Sequence, residues 1–399
     1  MSLDSAIPPR RMALNSLARR MAPNILARCM ASNILARRTG PNVLLRRTGP
    51  NPERPVSLFE FWPGWLFYTP VVMHWLLLGL RHGDFSLPTA ANPHITTGGL
   101  CGESKLSILS QVGAAARDLI APACGVIAGP GGAEAAEDAM AAAGLRYPVV
   151  VKPDIGCNGT GVRLVRDFSA LARYMQAFPP GETVVVQHYV DEPHEAGIFY
   201  VRHPNEPVGR ITSMTIKRPP VVVGDGRSTL RTLILRDDRA GLISHLYLER
   251  LATRLDTVPK LGETVRLVFV GNHCKGSIFQ NGTDIVTPAL TTAIDRLAKS
   301  MPDFFFGRID VRFASLAQLW RGLDFRVIEI NGAGSEATHI WDPRTRLLDA
   351  WRAQFFHYAA AFRIGAANRR RGFASSGVWA MLRHWRNQRR LMAIYPMND

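Results

Sequence analysis

Two short segments, Arg308-Ile309-Asp310 and Glu329-Ile330-Asn331, carry the densest chemistry in this chain. Each reads as a strand end, and the alternation of strand side chains puts Asp310, Glu329 and Asn331 toward one space. Carboxylate and amide oxygens of that kind suit magnesium, which prefers hard oxygen donors in an octahedron. Upstream, an apolar run from Tyr147 ends in Lys152, then a loop holds Gly156, Cys157, Asn158, Gly159, Thr160 and Gly161, and a second strand starts at Val162. A lysine beside a mobile glycine loop supplies what a triphosphate needs. Together the two regions describe an ATP site with its metal.

The elements that must position these groups follow from periodicity and breakers. Residues 106–145 are alanine-rich and read as helical, interrupted at Pro122 and at the Gly129-Pro130-Gly131-Gly132 turn, with a helix over 134–143 delivering the chain into the strand of Lys152. A helix over 167–178 precedes a buried strand over 183–190. Strands are expected at 199–202, 209–217 and 265–271, helices at 229–236, 243–254 and 288–300, and an amphipathic helix over 347–363. The pattern is α+β with a mainly antiparallel sheet.

With 399 residues, 47% hydrophobic and 20% charged, the chain can form two or three globular domains. Its formal charge of +16 sits at the ends. Residues 1–55 hold ten Arg against Asp4 and Glu53, a net +8, and residues 368–399 hold seven Arg against Asp399, a net +6, which leaves +2 for the body. A nearly neutral body argues against a nucleic-acid groove in the core, while basic tails can meet an acidic surface. The five cysteines are scattered, odd in number and without metal spacing, which implies a reducing compartment. Cys157 has no evident base to make it a nucleophile.

The ends have their own character. Asn15, Asn24, Asn33 and Asn42 each open a nine-residue repeat of the form Asn-x-Leu-x-Arg, too short for a solenoid unit, and the reading is a disordered basic arm or upstream repeats read from a start codon called too early, with a transit peptide as a further alternative. Residues 61–80 are uncharged and aromatic, but Pro63, Gly64 and Pro70 leave a helix of only about ten residues from Val71, too short to span a bilayer. A core helix, an oligomer contact and peripheral membrane attachment all remain open for it. Gly98 and Gly99, followed by Ser104 and Lys105 at a helix start, could hold an anionic group. Trp379 and Trp385 stand at helical spacing among the arginines of the C-terminal tail, which could pack, stay disordered or lie on an anionic bilayer.

In this order the motifs resemble the ATP-grasp superfamily, in particular D-alanine:D-alanine ligase and the ATP-grasp part of cyanophycin synthetase, over residues 121–343. The resemblance implies two α+β lobes holding the nucleotide between mainly antiparallel sheets, here with an atypical N-terminal region. It implies that Lys152 with Gly156, Gly159, Thr160 and Gly161 covers the phosphates. Gln187, Tyr189 and Val190 would hold adenine on a strand and hinge, with Gln187 standing where many relatives have Glu, and Glu195 would contact ribose or substrate. Lys217 matches a second phosphate lysine and Arg308 the arginine that steadies the transferred phosphoryl group. Asp310, Glu329 and Asn331 match the magnesium ligands, with two Mg2+ expected and Mn2+ as a substitute. Residues 222–230 and 259–263 resemble an insertion of cyanophycin synthetase.

The implied organisation is a basic arm over 1–55, an aromatic and substrate-type region over 56–118, a first lobe over 119–195, a second lobe over 196–365 and a basic tail over 366–399. The implied activity is an ATP- and Mg-dependent carboxylate–amine ligase forming an amide through an acyl phosphate; the alternatives are a kinase of small molecules and a non-catalytic ATP-binding regulator at a membrane. Small-molecule carboxylate and amine substrates, a homo-oligomer, and a cytoplasmic location with contact to the inner membrane face complete the expectations. The region before Leu106 lacks a βαβ series, so the substrate is not carried over.

Overall fold

The computed structural model describes residues 56–269 and 271–397; the nine-residue repeats lie outside the described residues. In chain order, α1 (Gly64–His82) and the short α2 (Lys105–Ser110) lead into a first lobe. That lobe comprises β1 (Ala123–Ile127), α3 (Gly132–Ala142), β2 (Val149–Pro153), β3 (Arg163–Val165), α4 (Phe168–Ala177) and β4 (Thr183–His188). The second lobe begins with β5 (His194–Val201) and β6 (Arg210–Arg218). An insertion follows, with β7 (Val221–Val223), α5 (Leu230–Arg236), α6 (His245–Leu248) and β8 (Thr264–Arg266). The lobe resumes with β9 (Ile278–Asn281), α7 (Pro288–Lys299), β10 (Phe306–Phe313), α8 (Leu316–Trp320) and β11 (Phe325–Asn331), before α9 (Leu347–Arg370) and α10 (Val378–Met392).

The first lobe is an antiparallel sheet in the order β1-β4-β2-β3. Val184, Val185 and Val186 of β4 are all fully buried, which marks an interior strand covered on both faces. Helices α3 and α4 close its core with Ala136, Met140, Leu171 and Tyr174. Asp167 fixes the start of α4 by accepting from Ala170 N at 2.8 Å. The second lobe is antiparallel in the order β11-β10-β5-β6-β9. Its outer face packs Ile198, Met214, Ile309 and Val311 onto Leu290, Ile294 and Leu297 of α7, a helix started by Thr287 as cap and Pro288 at the first position. The insertion has its own small core around Leu230, Ile234 and Tyr247. An α+β fold of two lobes with antiparallel sheets is what the sequence leads one to expect.

Several local expectations are corrected. Residues 123–127, read as helical, form β1, paired from Ala123↔Gln187 to Ile127↔Thr183; strand pairing in the sheet overrides alanine-rich local propensity. Helix α1 covers 19 residues and continues through Pro70, where ten were expected. The missing backbone hydrogen bond is offset by burial of Phe67, Tyr68, Val71, Val72 and Trp75, with Trp75 edge-on to Tyr358 and Phe362 of α9. No helix among the described residues is long and apolar enough to cross a membrane. The helix expected over 243–254 shrinks to α6 and a turn, and the strand over 265–271 ends at Arg266.

One buried ion pair ties the segment before α1 to the insertion: Glu60 accepts from Arg239 Nη2 at 2.6 Å and Nη1 at 3.2 Å. Truncating one partner leaves the other charge buried and alone. Glu60→Ala is therefore expected to lower unfolding free energy by about 3–5 kcal/mol, read as a shifted denaturant midpoint.

Candidate active site

The strands of the second lobe build the polar end of the site by register alone. Asp310 lies opposite Glu329, and Arg308 opposite Asn331, across β10 and β11. On the other side Asp310 faces Gly197 of β5, while Glu195 faces Lys217 across β5 and β6. Directly opposed residues share a face, so Arg308, Asp310, Glu329, Asn331 and Lys217 project from one surface of the sheet.

Asp310 is the centre of this group and is buried. Its Oδ1 accepts from Arg308 Nε at 3.0 Å and lies 3.0 Å from Lys217 Nζ, while Oδ2 accepts from Arg308 Nη2 at 3.1 Å and Asn331 Nδ2 at 3.4 Å. Lys217 also donates to Glu195 Oε1 at 2.9 Å. Burial opposes the charge on Asp310, but Arg308 and Lys217 outweigh it and hold the carboxyl down at about 2. Burial likewise works against the Lys217 ammonium, and the facing Asp310 and Glu195 carboxylates raise it nonetheless.

Gly197 leaves room for this cluster, since a Cβ there would stand 3.0 Å from Asp310 Oδ1 and 3.1 Å from Arg308 Cδ. Sequence reasoning missed Gly197; the available signal was a glycine inside an apolar strand run, which marks a close approach.

From the first lobe, Lys152 at the end of β2 donates to Gln187 Oε1 at 2.8 Å and to the Ile328 carbonyl at 3.0 Å. The Gln187 side chain, expected near a base, is thus engaged with Lys152 and with Ala121 O, at 3.3 Å. Burial lowers the Lys152 ammonium to about 8, with Glu329 working in the opposite direction. Below that pH the group is charged and can meet a phosphate; above it the charge is lost. Nucleotide association in the free protein is expected to weaken as pH rises through about 8, and Lys152→Met is expected to flatten that dependence in calorimetric titration. The linkage has the matching sign: the unfolded lysine titrates near 10.4, so the unfolded chain binds more protons between the two values and stability rises across that window.

The glycine loop spans the lobes' opening and is held from both sides. Lys105 Nζ donates to Gly156 O at 2.6 Å, and Tyr174 donates to Gly161 O at 2.8 Å. Thr160 N closes a turn onto Cys157 O at 3.2 Å. Lys105 is thereby a fastener of this loop, and Ser104 caps α2 by accepting from Ser107 N. Gly98 and Gly99, read as an anion cradle, pack instead on the segment after β11, where Ala333 N donates to Gly98 O at 2.9 Å and Gly334 N to Gly99 O at 2.7 Å. Burial pushes the Cys157 thiol up to about 12, unsuited to a nucleophile.

A cavity of about 280 Å³ collects Lys152, Gly159, Gln187, Tyr189, Val190, Glu195, Lys217, Arg308, Asp310, Glu329 and Asn331. Gly156, Thr160 and Gly161 belong to the loop beside it without lining it. Arg312, two residues beyond Asp310 on the same face, also lines the cavity, and its Nη1 donates to Val190 O at 2.9 Å. Period-two spacing from Arg308 and Asp310 was the signal for it.

At the far end stand Tyr68, Glu336 and His273. Glu336 accepts from Tyr68 OH at 2.9 Å, from Trp341 Nε1 at 2.6 Å and from Gln354, and burial raises its pKa. His273 stacks on Trp341 with ring centroids 4.6 Å apart, and burial lowers it to about 3, so it stays neutral. His273 lies in a short turn and lines the cavity.

Helix α10 roofs the cavity with Met381, Trp385, Gln388, Arg389 and Met392. Gln388 Oε1 accepts from Gly102 N at 2.9 Å, Met392 Sδ lies 3.6 Å from Cys157 Sγ, and Tyr395 beyond the helix donates to Ile155 O at 2.9 Å. The arginine-rich tail therefore rests on the glycine loop. Nothing in the sequence placed it there.

Two antiparallel lobes meet at a cleft, with lysines from both and a carboxylate–amide set from one, the placement that the motif resemblance leads one to expect. No protein-family model matches the chain, and no curated protein matches it. Among solved structures it is similar to a bifunctional glutathione synthetase from Pasteurella multocida, at 18% identity and TM-score 0.33, over 63% of this chain and 35% of that one. It is similar to a D-Ala:D-Ser ligase from Enterococcus faecalis, at 12% identity and TM-score 0.38, over 67% of this chain and 63% of that one. A D-cycloserine synthetase is similar at 15% identity and TM-score 0.35, over 68% of this chain and 70% of that one. The chain thus spans 35% and 63% of the length of the first two. These TM-scores are low, and the site is defined by the placement of its own residues.

Proposed function

We propose that the protein is an ATP-dependent carboxylate–amine ligase that works through an acyl phosphate. The observation that carries this reading is the convergence of Lys152, Lys217 and Arg308 on the same cavity as Asp310, Glu329 and Asn331. Among the described residues no group of three or more His, Cys, Asp and Glu side chains forms a metal cluster. The donor set is two carboxylates and an amide, a fit to magnesium, which commonly takes one or two carboxylates and completes its shell with phosphate and water. Asp310, Glu329 and Asn331 would hold magnesium there, and the ion would offset charge on the departing γ-phosphoryl group.

The chain's own residues do the rest. Lys152 meets the phosphates as the glycine loop closes over them. Arg308 and Lys217, paired with Asp310 on the same cavity, would offset charge on the transferred phosphoryl group. A substrate carboxylate attacks the γ-phosphorus and ADP leaves; an amine then attacks the acyl carbon and inorganic phosphate leaves. Closure of the loop and the roof of α10 exclude the water that would hydrolyse the intermediate.

The test is magnesium-dependent ADP release from the purified protein against pools of amino acids and small carboxylates, with hydroxylamine present. Hydroxamate formation is the expected result. ADP with a phosphorylated product inert to hydroxylamine would replace the ligase by a kinase, and tight ATP binding without turnover on any pool would replace it by a nucleotide-binding regulator.

A further inference from the structure

Helix α1 buries one face and presents the other to solvent. Phe67, Tyr68, Val71, Val72 and Trp75 are buried, Trp75 against α9. With 3.6 residues per turn, Trp65, Leu66, Met73, Leu76, Leu77 and Leu80 fall within an arc of roughly 120° on the opposite side. All six are exposed, Trp65, Met73, Leu77 and Leu80 at 60% or more. The polar residue inside the arc, Thr69, donates its hydroxyl to Trp65 O at 2.5 Å, so it needs no water as acceptor. Residues 61–80 contain no charge. Six large apolar side chains on one face exceed the scattered exposure that is normal for a soluble surface.

Positive charge frames this face. Arg81 follows the stripe and is exposed, as are Arg363 and Arg352 on α9, Arg352 pairing with Asp349 at 3.0 Å. Arg369 of α9 reaches the end of α1, donating to His82 O at 3.1 Å. Directly upstream in the chain, residues 1–55 carry a net +8. A second copy docked on this face would bring two such segments together, which like-charge repulsion opposes. An anionic lipid surface meets both features: apolar side chains enter the acyl boundary and arginines meet the phosphates.

We infer that the exposed face of α1 docks on an anionic bilayer, the helix lying in the plane of the interface without crossing it. Apolar insertion and a basic segment together supply the two signals that stable peripheral attachment needs.

The experiment is flotation of the full-length protein with phosphatidylcholine vesicles, with or without about one-third phosphatidylglycerol. The anionic vesicles are expected to carry the protein, and neutral vesicles to carry it about tenfold less. A Leu77→Glu, Leu80→Glu double variant is expected to lose about tenfold or more of the anionic partition. Leu261→Glu, at an 83% exposed leucine on the insertion, is expected to bind as the unaltered chain does. ATP titration of each variant checks that it is folded. No flotation on either vesicle, or equal flotation of the double variant, would overturn the inference. A dimer that the double variant dissociates in sedimentation would assign the face to a second copy instead.

Discussion

Asp310→Asn is expected to lower ADP release by about a thousandfold, because it removes a carboxylate of the proposed magnesium site and the anchor of Arg308 and Lys217 at once. The same change leaves two cationic side chains facing each other without their shared counter-charge, Lys217 buried and Arg308 half-buried. A stability loss of about 3–5 kcal/mol accompanies it, seen as an earlier denaturant midpoint. Glu329 is only half-buried, so Glu329→Gln is expected to match the loss of turnover with a smaller loss of stability. Normal ADP release from both variants would remove these residues from the site. The depressed carboxyl of Asp310 also sets an acid limit. Its stabilising charge is fully present above the unfolded value of about 3.9 and is lost as pH falls through about 2.

Gly332→Ala is expected to prevent stable folding, with a cost above about 4 kcal/mol. Its added Cβ would collide with the carbonyl oxygen of Gly98 and stand 2.8 Å from Gly99 Cα. Both are backbone, fixed by the hydrogen bonds of Ala333 and Gly334 to the same two residues, so neither can rotate away as a side chain would. Gly262→Ala is the control. Gly262 has a φ of +79° but open space around it, and its cost is only the conformational strain of about 1–2 kcal/mol. Chemical denaturation of the two variants separates steric exclusion from backbone strain, and equal midpoints would show that the contact between the two glycine segments yields.

The contrast between these two sites explains what could be read from the sequence. Arg308, Asp310, Glu329 and Asn331 were legible because a strand has a period of two, so one pairing register brings four spaced residues to one face. Lys152 and the glycine loop were legible for the same local reason. Strand β1 was not, since Ala123-Cys124-Gly125-Val126-Ile127 looks helical in isolation and becomes a strand by pairing with β4. The length of α1 was hidden by Pro70, whose local penalty is outweighed by a partner helix almost three hundred residues away in the chain, as the bond from Trp351 Nε1 to Phe67 O at 3.0 Å illustrates. Gly98 and Gly99 looked like a ligand cradle because the sequence does not say that a second glycine segment occupies them. The place of the α10 roof had no local signature, because its site-facing residues, Met381, Trp385, Gln388, Arg389 and Met392, are of types that any helix packed at a surface could use.

That roof ties the opening of the cleft to the last helix among the described residues. The glycine loop touches Met392 and Tyr395, and Arg163 just beyond it donates to Met397 O at 2.8 Å. The loop opening that the proposed function requires would break these contacts together. Met397 sits beside this loop, so a purification tag or fusion partner added at the C-terminus is expected to act on entry to the cleft.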